Sequence, residues 1–468
     1  MSGSRFTSFV RYILALLMLF SVSETMAQKT NLSAFSKLGI GEIYQMGTAQ
    51  HYGMGGVTSS IDFPVQVNFS NPASYAHASR PVFDAGIQTL LTSTTVPGDE
   101  LSQSTTLVNN FSFLFPIKER DLGVSFGMTP YSTIGYLFDT EETLPEIGRV
   151  NYRYQGSGGL NRVYLGLGKT LVNLNDSAKV TIGVNGSYIF GEVYHEKAVI
   201  FESNDYFGSV MENYSYVNGV SFDIGFQART HITKGMTHLK RKKEDEDEER
   251  DENVKNKHRV IGIGGTFTAP RSFQRDFEYV ARSMRGQTFL MKDTIDFYAS
   301  PDGQMDMPLM FQGGIHFEAK DSLDRRYLIA LDYRAEQWTD FSQTITHSSL
   351  QGSFVDAYRI GVGFQYTPYT GISGKQGALK RTDYKIGAKH QVFPYSFENT
   401  EITETGITFG LSIPLMRSGS MSRFTIGADI GERVSDGLSI RENYARFYFS
   451  LTLTPHAMNR WFYQRKYE

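Results

Sequence analysis

Residues 220–227 read VSFDIGFQ. Val220, Phe222, Ile224 and Phe226 alternate with Ser221, Asp223, Gly225 and Gln227. Successive side chains of a strand point to opposite faces, so this period of two describes a strand with one apolar and one small or polar face. The same pattern returns at 122–129 (LGVSFGMT), 407–413 (ITFGLSI), 424–430 (FTIGADI) and 447–453 (FYFSLTL). No stretch of comparable length carries a helical apolar stripe.

Working outward from these segments gives about 14 strands: 81–92, 104–117, 121–131, 160–172, 178–190, 214–229, 259–269, 305–319, 326–339, 354–368, 381–393, 403–415, 422–433 and 442–454. An even count of long alternating strands fits a closed antiparallel transmembrane barrel. Such strands exceed the usual ~5–6 residues of a soluble sheet and reach the ~9–11 needed for a tilted span. Aromatic residues near the segment ends, Tyr131, Tyr333, Trp338, Phe341, Tyr366 and Tyr369, are expected in an interfacial girdle. The stretches 132–159, 191–213 and 270–304 read as long external loops. The short connections 118–120, 173–177 and 320–325 read as periplasmic turns.

Composition agrees. The 468 residues have a formal net charge of −3, 13% aromatic residues and no cysteine. Without cysteine there is no disulfide framework, thiolate metal site or cysteine nucleophile. A net charge near zero provides no general field for nucleic acid. Mean hydropathy is −0.30 because lipid-facing and lumen-facing rows cancel. Residues 1–27 read as a secretory signal peptide: Arg5 and Arg11, then the apolar run Tyr12–Val22, then Thr25-Met26-Ala27 before Gln28. The expected location is the bacterial outer membrane after cleavage.

Residues 28–80 do not alternate and are rich in turn formers. A barrel of this size has a lumen that needs filling, so this segment is expected inside it as a plug, with 81–468 forming the wall. Its Gly53-Met-Gly55-Gly56, a later Asp62 and Asn68-x-x-Asn71-Pro72-Ala73 resemble the hatch signature of the FadL family of outer-membrane transporters. Further segments resemble Bacteroidota versions of that family. They are Leu331-Asp332-Tyr333, Tyr358-Arg359, Gly406 through Pro414, Ile440-Arg441-Glu442-x-Tyr444 and the tail from Trp461. The resemblance implies passive uptake of hydrophobic compounds such as long-chain fatty acids. Ligand would occupy a lumenal pocket and leave through a gap in the wall. Gly53, Gly55, Gly56, Asn68, Asn71 and Pro72 would be the gating residues.

Residues 230–258 depart from that pattern. There Lys240, Arg241, Lys242 and Lys243 abut Glu244, Asp245, Glu246 and further acids. Such blocks are usually solvated. As a functional element the insertion is a handle for a periplasmic or outer-membrane protein partner. It motivates the alternative reading, an accessory or structural barrel of a protein secretion or assembly complex, a role that FadL-like barrels also fill. Enzyme chemistry is not expected, nor any cofactor or metal. Gly123-x-Ser125-x-Gly127 lies mid-strand, where a nucleophile elbow cannot form, and Gly168-Lys169-Thr170 lacks the first glycine of a phosphate loop. Asp223, Asp332, Arg334, Lys385, Lys389 and Asp429 fall on the lumenal face, where charges pair with one another and with the plug.

Overall fold

The computed structural model describes residues 33–455 except 38, 97–98, 118–120, 175–177, 204, 233–257, 286–289, 344–352, 372–376, 398–399, 416–420 and 436–439. The expected leader 1–27, the block Lys240–Glu246 and the tail from Trp461 lie outside the described residues.

The wall is a closed antiparallel barrel of 14 strands. They are β1 (Val82–Val96), β2 (Asp99–Ile117), β3 (Leu122–Leu144), β4 (Gly148–Leu174), β5 (Ala178–Phe201) and β6 (Phe207–His231). Next come β7 (His258–Thr268 and Arg271–Arg285), β8 (Leu290–Met307 and Met310–Lys320), β9 (Arg326–Glu336) and β10 (Ala357–Thr367). Last are β11 (Asp383–Phe397), β12 (Thr400–Pro414), β13 (Arg423–Ser435) and β14 (Ile440–Leu453). The ring closes where β14 pairs with β1, from Leu453↔Phe83 to Arg441↔Thr95. β7 and β8 are each interrupted once, at Pro270 and Pro308, which lack the N–H a ladder needs. Arg271 ties the two breaks together, donating to the carbonyls of Ala269 and Pro308 and to the Tyr131 hydroxyl.

Outward positions of the wall are exposed apolar residues, such as Phe222 (61%), Ile224 (59%) and Leu165 (59%). Their inward neighbours, such as Ser221, Asp223 and Gln227, are buried and polar. Burial here is inverted relative to a soluble sandwich, because the lumen, not the lipid face, is the packed interior.

The expected long loops 132–159, 191–213 and 270–304 are mostly strand. β3 and β4 continue pairing up to Leu144↔Gly148. Above the apolar band the exposed positions are mostly polar, while buried apolar residues such as Ile200, Val210, Phe273 and Met284 continue, so backbone pairing persists after the outward hydrophobic rows have stopped. The expected girdle also needs correction. Tyr333 and Tyr366 face outward, but Tyr131 (7% exposed) and Trp338 (0%) are buried inside, and Phe341 packs on Trp338 at 5.5 Å. Tyr131 turns in because β3 itself turns in: residues 131–136 are buried on both faces.

Candidate functional site: the filled lumen and the parted wall

β2 and β3 pair only from Phe111↔Met128 to Ile117↔Leu122. Beyond that they part, and the freed edge of β3 is taken by the N-terminal segment. Glu42 pairs with Thr133 and Ile43 with Ser132. The Tyr44 N–H donates to Tyr131 at 2.9 Å and that of Ser33 to Gly135 at 3.2 Å. The Asn109 amide, on the β2 side, donates to the Gly47 carbonyl at 3.2 Å.

The rest of the segment threads across the lumen. A single helical turn, Ala49–Tyr52, leads into the glycine run. The Gly55 N–H donates to Thr408 Oγ1 at 2.8 Å. Gly55 has φ +67, and a Cβ there would lie 2.5 Å from the Val362 carbonyl and 2.6 Å from that of Ala388. Only glycine accepts both the left-handed backbone and so close an approach to two wall strands. Gly53 abuts Gly410 of β12, and the Gly56 carbonyl accepts from Gln45 and Arg359.

The asparagines act as internal staples. The Asn68 amide donates to the carbonyls of Thr58 (2.7 Å) and Ile61 (3.1 Å), closing a loop within the segment. That of Asn71 donates to Ser59 (2.7 Å) and to Phe226 in β6 (3.1 Å). Asn71 also caps the turn Pro72–His77, which Pro72 opens in its favoured first position. Asp332 of β9 receives the loop from below, its Oδ2 accepting from the N–H groups of Thr58 (2.7 Å) and Ser59 (2.8 Å). Asp62 meets Arg229 at 3.0 Å and His77 at 3.6 Å.

The strongest tie involves a residue that the sequence reading did not single out. Glu42 is bound by Arg433 Nη2 (2.5 Å) and Nη1 (3.0 Å), and by Arg446 Nη2 (2.9 Å). Arg433 also meets Glu404 (2.5 Å) and Glu442 (3.1 Å). Lys389 bridges Glu404 (2.7 Å) and Asp429 (2.6 Å). Ser33 donates to Glu442, so the cluster grips the segment at two points. Burial pushes the Glu42 carboxyl up, but Arg433 and Arg446 together hold it below its ordinary value. Burial raises Asp62, and His77 and Arg229 pull it below its ordinary value. Burial depresses His51 to about 3 and His77 to about 4. Both imidazoles are therefore neutral in place.

Above this polar lattice Ile40 and Ile43 pack into an apolar roof with Ile134, Phe273, Met307 and Trp338. Two cavities touch the segment here. One of 60 Å³ is lined by Ile43, Arg334, Glu336 and Arg359, and one of 30 Å³ by Glu42, Gln45, Lys389 and Arg446. Both are small against the ~300–1,000 Å³ of a typical ligand pocket; the larger is also lined by Val392, Phe393 and Pro394 and is more apolar than polar. Among the described residues, no group of three or more histidines or carboxylates is placed to hold a metal. Ser125 donates to the Phe113 carbonyl at 2.8 Å within the wall. Lys169 lies mid-strand in β4, facing outward.

The chain matches the protein-family model described as BamG over residues 9–468. No curated protein matches it significantly. Its fold is that of several solved structures. The toluene transporter TodX of Pseudomonas putida superposes with a TM-score of 0.52 at 14% identity, over 88% of this chain and 99% of that one. The Ralstonia pickettii toluene transporter TbuX gives 0.52 at 11%, over 88% and 99%. A Pseudomonas aeruginosa FadL homologue gives 0.50 at 10%, over 89% and 99%. At these identities the likeness establishes a FadL-type outer-membrane barrel fold.

Proposed function

The chain belongs to the BamG family, and on that footing we propose that it is an accessory or structural barrel of an outer-membrane protein secretion or assembly complex. It is delivered to the outer membrane by the leader 1–27, and its lumen is permanently filled by its own N-terminal segment. The observation that carries this reading is the grip of Arg433 and Arg446 on Glu42. Breaking a buried, multiply bonded ion cluster costs several kcal/mol. A segment so held suits a core better than a gate. Membership of the BamG family is compatible with this role. The insertion 230–258 is the proposed handle for the protein partner. Its two flanking strands end at His231 and begin at His258 on the rim where β1 begins, β2 ends and β3 begins. In outer-membrane barrels that rim is periplasmic.

Passive uptake of hydrophobic compounds, the leading reading on sequence, ranks second on geometry. It is favoured by the parting of β2 and β3, whose gap is spanned by the N-terminal segment, with Ser33, Glu42 to Tyr44 and Gly47 bonded to its edges. On that reading Gly53, Gly55, Gly56, Asn68, Asn71 and Pro72 would be hinge residues rather than fixed staples.

The deciding experiment is mild-detergent purification from native outer membrane, with mass spectrometry of bound lipids and co-eluting proteins. The proposal expects a stoichiometric protein partner that is lost on deletion of 240–257. A co-purified fatty acid or hydrocarbon without a protein partner would overturn it in favour of uptake.

A further inference from the structure

Two ammonium groups share one ring on the inner face of the wall, above the apolar band. Tyr154 of β4 pairs directly with Lys197 of β5, whose Nζ lies 5.7 Å from the ring centroid. Lys37 ends the short turn Ala34–Lys37 of the N-terminal segment and brings its Nζ to 4.6 Å from the same centroid. On β5 the outward apolar row ends at Tyr188 and Phe190, and exposed Glu192 follows. Lys197 stands beyond it, at the end of β5 away from the periplasmic rim.

The ring attracts each ammonium, but the two repel one another. Burial, and then the charge of Lys197, lower the Lys37 ammonium below its ordinary value. Among the described residues neither lysine is in an ion pair. The nearby acids are engaged elsewhere: Glu196, on the opposite face of β5, accepts from the Tyr194 hydroxyl at 2.6 Å, and Asp139 binds Arg153 at 2.8 Å. Tyr444 is also crowded by cations, but its Lys389, Arg433 and Arg446 meet Glu42, Glu404, Glu442 and Asp429. The Tyr154 cluster has no such counter-charge.

A second observation points to the same place. Tyr136 of β3 reaches across Gly156 of β4 to His195 of β5, its hydroxyl 2.8 Å from Nδ1. A Cβ on Gly156 would lie 2.2 Å from the Tyr136 ring, so only glycine permits the crossing. His195 is 5% exposed. Burial, then the charges of Arg275 and Lys37, depress it to about 4, so the ring is neutral. With the Tyr136 hydroxyl donating to Nδ1, the ring proton sits on Nε2. That buried nitrogen has no hydrogen-bond partner among the described residues. An unmade bond of this kind is costly unless something fills it. Arg275 of β7, held by Ser215 Oγ at 2.8 Å, adds further positive charge.

We propose that Lys37, Lys197 and His195 form a binding site for a phosphate monoester reached from outside the cell. Such a group carries about −1.5 to −2 charges at pH 7 and three acceptor oxygens, which match two ammoniums and one N–H. A carboxylate would neutralise only one of the two lysines. Because Lys37 belongs to the N-terminal segment and Lys197 to the wall, the bound group would also tie the two together. The site goes beyond the accessory role proposed above and does not depend on it.

The test is isothermal titration calorimetry of the full chain in non-ionic detergent at pH 7, in phosphate-free buffer. The probes are inorganic phosphate and a phosphorylated lipooligosaccharide, the latter also after enzymatic dephosphorylation. Saturable binding of inorganic phosphate is expected, weakened about tenfold or more in Lys37→Gln/Lys197→Gln and less in His195→Gln. Lys380→Gln, on the periplasmic rim, should bind as wild type does. Tighter binding of the lipooligosaccharide, lost on dephosphorylation, would identify an outer-leaflet glycolipid as the source. Equal or weaker binding would identify a soluble phosphate. Absence of saturable phosphate binding overturns the proposal, as does binding unchanged in the double variant. Lys197→Gln alone, at an exposed position, serves if the double variant does not fold, and there too unchanged binding overturns the proposal.

Discussion

Glu42 and Arg433 are far apart in sequence, and the guanidinium of Arg433 binds both carboxylate oxygens of Glu42, at 2.5 and 3.0 Å, inside the barrel. The contact joins the N-terminal segment to β13. It also decides how the lumen is used, because the same Arg433 neutralises two wall carboxylates, Glu404 and Glu442.

Arg433→Met should therefore cost more than Glu42→Gln. The first leaves buried carboxylates uncompensated, a loss of about 3–5 kcal/mol. The second keeps an acceptor, and Arg433 keeps two carboxylates, so about 1–3 kcal/mol is expected. The unfolding midpoint, read by heat-dependent gel mobility, checks the order. Equal or reversed effects would show that Arg433 does not carry the charge balance of the three carboxylates.

Gly55→Ala should undock the segment while leaving the wall closed. The added Cβ would press on the carbonyls of Val362 and Ala388, and φ +67 is strained for alanine. Limited proteolysis should cut the variant within residues 33–80 much faster than wild type, with unchanged strand content by circular dichroism. Wild-type resistance would mean that the glycine run is not held tightly.

Acid should loosen the segment, because four of its groups shift in the same direction. Glu42 and Asp62 titrate below their ordinary values when docked. Their stabilisation is complete above the ordinary carboxylate range and is lost as pH falls through the lowered values. His51 and His77 are neutral when docked, titrating at about 3 and about 4. Below the ordinary ~6.5 the undocked form takes up protons first, costing the docked form up to about 1.4 kcal/mol per pH unit per histidine. The protection factors of amides 40–77, exchange being referred to the intrinsic rate at each pH, should fall from pH 7 to pH 4, less so in His51→Gln. A flat profile would contradict the neutral-histidine assignment.

The wall was legible in the sequence for a physical reason. Lipid enforces alternation, so VSFDIGFQ at 220–227 reports its own two faces, and each expected strand has a counterpart. Legibility ended where lipid ended. The upper halves of β3 to β8 pair without alternation and read as loops. Proline breaks at Pro270 and Pro308 did not announce that strand would resume beyond them. Asp332, Lys389 and Asp429 were recognisable as lumenal from their face alone. Glu42 and Arg433 were not, because Glu42 sits in a segment without periodicity and its partner lies 391 residues away. Glu442 stood within a quoted motif, Ile440-Arg441-Glu442-x-Tyr444, but its contact with Ser33 needed the closed ring to appear.

The central claim is that the lumenal segment stays docked while the protein works. The chain has no cysteine, so an engineered pair is clean. Ile43 and Ser132 are direct antiparallel partners, a separation that a disulfide can span. Ile43→Cys/Ser132→Cys, oxidised in the outer membrane, pins the segment across the parted wall. The account predicts that the locked barrel still co-purifies its protein partner and supports growth as wild type does. Loss of function on oxidation, restored by reductant, would contradict it and make the segment a gate.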